Sequence, residues 1–294
     1  MIVHLVDGTY ELFRQFFGQR RQARPALDGK EVGATWGLVA SLVAMLETGE
    51  RHIGVATDHV IESFRNDLWP GYKTGAGVAP ELRAQFELVE EAVAALGIYV
   101  WPMVELEADD ALASAAHVCA ADPRVEQVAI WTPDKDLGQC VVENRVVQFD
   151  RRKRLVIDAD GVHEKFGVWP ASIPDWLALV GDSADGFPGI AGWGKHSAAS
   201  VLDHYGHLEA IPLDASAWDG AVARRVRAGA LAAALADGFE LALLFRQLAR
   251  LVIEPSLLDS AAELEWAGPT RDFETVCAYL RDPGLAERAA ALAP

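Results

Sequence analysis

Nine acidic residues in this chain stand where carboxylates could share cations. Asp7, Asp58 and the pair Asp134 and Asp136 each follow a short apolar run, and Glu107, Asp109 and Asp110 open a helix-like stretch just after another. If those runs are neighbouring buried strands, seven carboxylates gather at the carboxyl edge of one sheet, where open α/β sheets build their sites. Glu107 and Asp110, three residues apart, would share one helix face. Any one of these acids alone is accounted for as a helix cap or as a charge opposing the helix dipole. Together they repel, and they cannot all stay ionised near neutral pH without cations. Oxygen donors with no histidine or cysteine among them select hard ions, Mg2+ or Mn2+, over zinc. Asp182 and Asp185 follow an amphipathic helix in Gly181-Asp182-Ser183-Ala184-Asp185-Gly186 and by themselves read as a turn.

A second group, Gly189, Gly192 and Gly194 followed by Lys195, His196 and Ser197, could bring backbone N–H groups close to an anion at a helix start. The spacing begins like a nucleotide-binding GxxxxGK loop, but His196 stands where Ser or Thr is needed and no apolar strand precedes it. The order GxxGxG is not the dinucleotide fingerprint either. Two readings stay open: a helix-hairpin-helix turn gripping a DNA backbone phosphate, or a plain connection between helices.

The elements that must carry these groups follow from apolar periodicity. Runs at 2–6, 52–57, 98–101 and 125–132 predict buried strands, and helical spacing at 33–46, 82–96 and 108–121 predicts helices between them. Such alternation predicts an α/β central sheet flanked by helices. Residues 69–80, rich in glycine and poor in core side chains, predict a mobile loop. After the basic run 151–154 the texture changes to short capped helices at 160–166, 170–180 and 197–205, which places a domain boundary near residue 160. Residues 221–253 read as alanine- and leucine-rich helix, stopped at Glu254-Pro255. A length of 294 residues accommodates roughly two domains.

Composition narrows the classes further. With 51% hydrophobic and 23% charged residues and no low-complexity tract, a folded globular chain is expected. The opening apolar run is interrupted too soon, at Asp7-Gly8, to be a signal peptide, and no apolar run reaches membrane-spanning length. Cys119, Cys140 and Cys277 form no metal or disulfide pattern, so a reducing cytoplasm is the expected location. The net charge of −17 opposes a phosphate-bearing partner. Even with nine of the 43 acidic residues assigned to metals, 34 remain against 26 basic ones. A DNA ligand would therefore depend on local cations such as Arg14, Arg20, Arg21 and Arg24 or residues 151–154, on bound metal ions and on backbone donors.

As an ordered set these segments resemble the 5′ nuclease (flap endonuclease) family, which includes the 5′-3′ exonuclease portion of bacterial DNA polymerase I, and a stand-alone nuclease is the expectation. The resemblance runs from residue 6 to about residue 206: Val6-Asp7-Gly8; Asp58 with Phe64-Arg65; Tyr72-Lys73; Glu107-Ala108-Asp109-Asp110; Thr132-Pro133-Asp134-Lys135-Asp136-Leu137; Gly181-Asp182-Ser183-Ala184-Asp185; and residues 189–194. It implies a PIN-like α/β metal-binding domain over 1–160, with a helical arch at about 60–95. It also implies a helical DNA-binding region over 161–294 with a helix-three-turn-helix element at about 170–206. It further implies that Asp7, Asp58, Glu107, Asp109, Asp110, Asp134 and Asp136, completed by Asp182 and Asp185, hold two Mg2+ or Mn2+ ions. Arg65 and Lys73 would act on the scissile phosphate. Tyr72, Gly189, Gly192, Gly194, Lys195, His196 and Ser197, with Arg14, would contact DNA, and a K+ ion could bridge the hairpin carbonyls to a phosphate. Two departures stand out: Ala76 replaces an arginine common in the arch, and Lys195-His196-Ser197 shifts the basic residue of the hairpin by one position.

The activity this implies is a structure-dependent 5′-3′ exonuclease or 5′-flap endonuclease hydrolysing DNA by a two-metal mechanism. The expected partner is DNA with a 5′ single-stranded end or flap beside duplex, met by a monomer with no membrane and in company with replication or repair proteins. The rival readings are a non-catalytic DNA-structure-binding protein that keeps the hairpin, and a PIN-like metal-dependent RNase.

Overall fold

The computed structural model describes residues 1–18 and 23–294. In chain order its strands and α-helices are β1 (Ile2–Asp7), α1 (Gly8–Phe17), α2 (Gly33–Glu47), β2 (His52–Asp58), α3 (Arg65–Leu68), α4 (Pro80–Arg83), α5 (Phe86–Ala95), β3 (Tyr99–Met103), α6 (Ala108–Ala121), β4 (Gln127–Trp131), β5 (Val146–Asp150), β6 (Leu155–Ile157) and α7 (Ala159–Phe166). The helices α8 (Ile173–Val180), α9 (Lys195–Tyr205), α10 (Gly220–Arg225), α11 (Ala228–Asp237), α12 (Phe239–Ala249), α13 (Phe273–Tyr279) and α14 (Pro283–Leu292) follow. Among the described residues no single helix is long and apolar enough to cross a membrane.

The chain folds as two compact units. The first comprises Met1–Ile61, Gly75–Thr132 and Ile253–Pro294, the second Glu62–Thr74 and Pro133–Val252. This division differs from a single boundary near residue 160. The longer segment of the second unit starts just after β4, at Pro133, and the last forty or so residues return to the first unit because their apolar faces pack there. Trp266, Phe273, Cys277 and Leu285 join Leu46, Ile53 and Leu96 in one core, and the Trp266 indole donates to the Leu96 carbonyl at 2.7 Å.

In the first unit, β1 to β4 are parallel and ordered β3-β2-β1-β4. Strands covered on both faces carry near-continuous apolar runs, as β1 does with Val3, Leu5 and Val6 buried. The helix expected over 82–96 is interrupted at Gln85. Its side chain leaves the helical pattern to accept from Thr35 N and to donate to Glu81 O, both at 3.0 Å.

In the second unit a short antiparallel hairpin, β5 with β6, carries the basic run 151–154 at its turn. The hairpin is absent from the sequence reading because β6 has only three residues, too few to show a period. The stretch 221–253 forms three helices rather than one, broken around Val226-Arg227 and at Gly238. Residues 69–73, expected to be mobile, are packed: Tyr72 is 3% exposed within this unit's core. Trp69 meets Phe245 edge-on at 5.1 Å and donates to Gly186 O at 3.0 Å. Two aromatic anchors outweigh the local glycines.

An ionic network joins α8 to α12. Asp175, fully buried, accepts from Arg246 at 3.0 Å and from Leu208 N at 3.4 Å, and lies 2.9 Å from His207 Nδ1. Arg246 also holds Glu209 through its two terminal guanidinium nitrogens, Nη1 and Nη2. Arg246→Met is expected to cost about 3–5 kcal/mol in urea unfolding, because it strands a buried carboxylate; a loss below about 1 kcal/mol would place the pair in the class of surface bridges. Arg246 lowers the Glu209 pKa from 4.5 to about 2. A carboxylate depressed on folding stabilises fully above its unfolded value and loses that contribution as pH falls toward the folded one. The wild type should thus lose stability between about pH 4.5 and 2 more steeply than the variant.

Candidate metal centre and nucleic-acid interface

Strand register brings the acids of the first unit to one edge. Asp7 pairs opposite Ala56 and Asp58 opposite Met103, so each ends its strand at the carboxyl side. The order β3-β2-β1-β4 reverses at β1, and the crevice beside such a reversal is where open α/β sheets place ligands. There Asp7, 6% exposed, accepts from Tyr10 N at 2.8 Å and from the Thr132 hydroxyl at 3.0 Å. Asp58 Oδ1 accepts from Ala108 N at 2.8 Å, which ties the end of β2 to the start of α6. That helix start brings Glu107, Asp109 and Asp110. Glu107 N donates to Asp110 Oδ2 at 2.9 Å, and both side chains are buried. Capping and clustering coincide: the bonds that satisfy helix N-termini also draw these carboxylates together.

The second unit holds a tighter group. Asp136, Asp182 and Asp185 are buried and can each offer an oxygen within 4.8 Å of the others. Asp134 joins them through Asp136 N, which donates to its Oδ1 at 3.0 Å. Asp182 also makes the turn anticipated from sequence, since its main chain pairs with Phe187 and its Oδ1 accepts from Ala184 N at 2.9 Å. Burial, and then the charges of Asp134 and Asp185, push the Asp136 carboxyl well above its ordinary pKa. Two lysines answer this charge. Lys73 lies 3.2 Å from Asp185, and Lys135 bonds Asp182 and stands 4.0 Å from Asp136. Burial opposes the Lys135 charge, but Asp136, Asp134 and Asp182 outweigh it and raise its pKa. Asp136 Oδ1 is buried with no hydrogen-bond donor among the described residues. Four carboxylates against two ammonium groups leave two negative charges. An oxygen-only donor set with that residual charge and an unsatisfied buried oxygen fits one hard divalent cation.

Several expected site residues are placed elsewhere or otherwise engaged. Arg65, expected to reach the scissile phosphate, is 1% exposed; its guanidinium donates to Leu248 O at 2.8 Å and Arg250 O at 3.1 Å and caps the end of α12. Tyr72, expected to contact DNA, is a core residue. Arg14 is engaged by buried Glu11, at 2.9 Å through Nε. Arg24 caps Leu280 O at 2.9 Å and lies over Trp36. Arg20 and Arg21 lie outside the described residues. Arg65 and Arg24 are captured by helix ends far off in sequence, which spacing does not reveal, whereas the Glu11–Arg14 pair is one helix turn apart and Tyr72 is held by apolar packing.

The hairpin glycines divide by role. A Cβ on Gly189 would lie 2.4 Å from Gly181 N, so this glycine serves close packing inside the unit and not a ligand. Gly192 has φ +86, and a Cβ on either Gly192 or Gly194 would meet nothing within 4 Å. Ser197, expected to contact DNA, caps α9: its hydroxyl accepts from Gly194 N and donates to Gly194 O, both at 3.0 Å. Lys195 and His196 are exposed beside the turn. Lys135 is a cation of the cluster that the acidic spacing does not by itself single out, although its place between Asp134 and Asp136 is a visible signal.

Comparison with known proteins agrees with this architecture. Residues 2–167 match the family model for the 5′-3′ exonuclease N-terminal resolvase-like domain, and residues 168–272 match the 5′-3′ exonuclease C-terminal SAM fold. A 5′-3′ exonuclease of Aquifex aeolicus is 33% identical over 214 residues, covering 71% of this chain and 71% of that protein. DNA polymerase I of Mycobacterium leprae is 32% identical over 228 residues, covering 76% of this chain but 25% of the polymerase. The chain thus spans about a quarter of the length of the polymerases it matches. Among solved structures, T5 5′-exonuclease with bound zinc superposes with a TM-score of 0.68 at 17% identity, over 98% of this chain and 100% of that one. The catalytic core of Rad2 in complex with DNA substrate gives 0.63 at 16% identity, over 98% and 90%.

The Asp136 environment sets a stability test. A carboxyl whose pKa rises on folding stabilises fully below the unfolded value and loses that contribution as pH rises through the folded one. Metal-free protein at neutral pH should therefore be strained by Asp136 and stabilised by cations. Mn2+ at about 100 times its Kd should add about 2.7 kcal/mol. Asp136→Asn should unfold at a higher temperature than wild type without metal and gain less from Mn2+. A lower metal-free melting temperature with an undiminished Mn2+ gain would refute this reading of the cluster.

Proposed function

The chain belongs to the 5′-3′ exonuclease family, and on that premise we propose that it is a divalent-metal-dependent nuclease. It hydrolyses DNA phosphodiester bonds at 5′ single-stranded ends or flaps beside duplex. The observation that carries this reading is the buried, oxygen-only group Asp136, Asp182 and Asp185, in which one Asp136 oxygen has no hydrogen-bond donor among the described residues. Mg2+ or Mn2+ ions held there would neutralise the scissile phosphate and activate the attacking water.

The residues of this chain have separate tasks. Asp7, Asp58, Glu107, Asp109, Asp110, Asp134 and Asp136 are the proposed metal donors, with Asp182 and Asp185 completing the second of two sites. Lys73, held 3.2 Å from Asp185, keeps a cation beside the cluster to meet a phosphate oxygen as charge develops on it. Arg65 leaves the catalytic set and acts by holding the end of α12. Gly192 and Gly194 leave room for a duplex phosphate at the start of α9, and K+ at the turn carbonyls belongs to the same proposal. So do a monomeric state, a cytoplasmic location, which the cysteine usage supports, and a role beside replication or repair proteins, which the polymerase relatives support.

A gel assay of a 5′-flap duplex decides the matter. Wild-type protein should cleave with Mg2+ and not with chelator. Asp109→Ala and Asp134→Ala should lose about 100-fold or more in rate. Asp182→Ala should recover part of its loss at higher Mg2+ or Mn2+, since it weakens one ion more than the other. Folded protein that binds the flap but never cuts it would be a DNA-structure-binding protein. Preference for a matched RNA flap would make it an RNase.

A further inference from the structure

The hairpin turn faces a cavity of about 450 Å3 whose other wall comes from a distant part of the chain. Gly192, Gly194, Lys195 and His196 line one side, and Arg225 and Arg227, between α10 and α11, line the other. Among the described residues, Lys195, Arg225 and Arg227 have no acidic partner within 4.0 Å, in a chain of net charge −17. Their mutual repulsion is left for a ligand to answer. The glycines support the same view. Gly194 has φ −130, which any residue adopts, and a Cβ there would touch nothing within 4 Å, so internal packing does not explain the missing side chain. The eleven-residue helix α9 also starts here, so its first backbone N–H groups have no acceptor within the helix.

The ligand's chemistry can be narrowed. Lys195 also lines a neighbouring recess of about 410 Å3 that includes Asp182 and Ser183, so the cationic cavity adjoins the second unit's acidic cluster. A polyanion long enough to pass both fits better than a single phosphate ion. No tryptophan, tyrosine or phenylalanine lines the cavity, where His196 is the one ring among the described residues, and unpaired strands are held by several stacking aromatics beside their cations. A duplex presents only its backbone to such a surface.

We propose that Arg225 and Arg227 form the second jaw of a phosphate clamp, closed against the turn at Gly192 and Gly194, that grips the backbone of duplex DNA. The clamp deepens the nuclease reading and rests on it for the identity of the polyanion. It assigns a task to a stretch whose sequence shows only helix-forming residues.

The test uses the whole protein with Arg225→Ala and Arg227→Ala combined, both side chains being exposed. Binding of a flap duplex and of its isolated strand is measured with Ca2+ in place of Mg2+ across a salt series. Loss of two phosphate contacts should weaken duplex binding about 10-fold or more and reduce the slope of log K against log salt by roughly 1.8. The isolated strand should change by less than about twofold, and Mg2+-dependent cleavage of that strand should be kept. Gly194→Val, whose Cβ meets nothing within 4 Å inside the protein, should reproduce the duplex-selective loss without any arginine being removed. Unchanged duplex affinity and salt slope, or equal losses on both ligands, would overturn the clamp. Failure of the nuclease reading shows separately, as wild-type protein that cleaves nothing while the binding measurements still judge the two arginines.

Discussion

Carboxylates held close together out of water are unstable unless something positive comes among them, and much of this molecule is arranged around that fact. Asp136 lies buried with Asp182 and Asp185, and Asp134 adds a further charge. Water cannot screen the group, so the chain places Lys73 and Lys135 against it. The lysines answer half of the charge. The remainder is negative charge that a bound cation would offset, and it keeps the metal-free fold under tension at that point. The segment bearing Lys73 is held by Trp69 and Tyr72, so core packing in the second unit determines where that cation stands.

The first unit meets the same constraint differently. Asp7, Asp58 and Asp110 accept hydrogen bonds from the N-terminal regions of helices that follow strands, or from a neighbouring strand end. Backbone donors and helix dipoles are partial positive charges that cost no side chain. A parallel sheet aligns its helix starts on one edge, and so the capping acids collect there. Structural capping and metal binding are therefore not competing explanations for these residues, since the first supplies the geometry the second requires.

Cations are scarce in this chain, and their distribution is telling. Arg65 secures the end of α12, Arg246 neutralises buried Asp175, and Arg24 caps the chain near Leu280. These are folding tasks, each answering carbonyls or a carboxylate that would otherwise be buried unmet. Lys195, Arg225 and Arg227 are different: they face a cavity together, beside glycines that leave space open. An acidic protein can still hold a polyanion if its few uncommitted cations are gathered in one place.

The sequence by itself determined the strand and helix alternation, because each central strand is a short apolar run and each early helix shows the helical period. It also located the nine acids and the hairpin glycines. Those features are local, and local periodicity and residue chemistry report them directly. Tertiary structure alone decided which side chains were already spoken for. Arg65 and Arg24 have the same charge as Arg225 and Arg227, yet the first pair is captured by main-chain carbonyls far off in sequence. Gly189 and Gly194 are the same residue in one turn, but the first is pressed against Gly181 and the second faces open space. The hairpin β5–β6 and the return of the last residues to the first unit's core were hidden for a related reason. Both depend on which surfaces find each other at long sequence separation, and no window of adjacent residues carries that information.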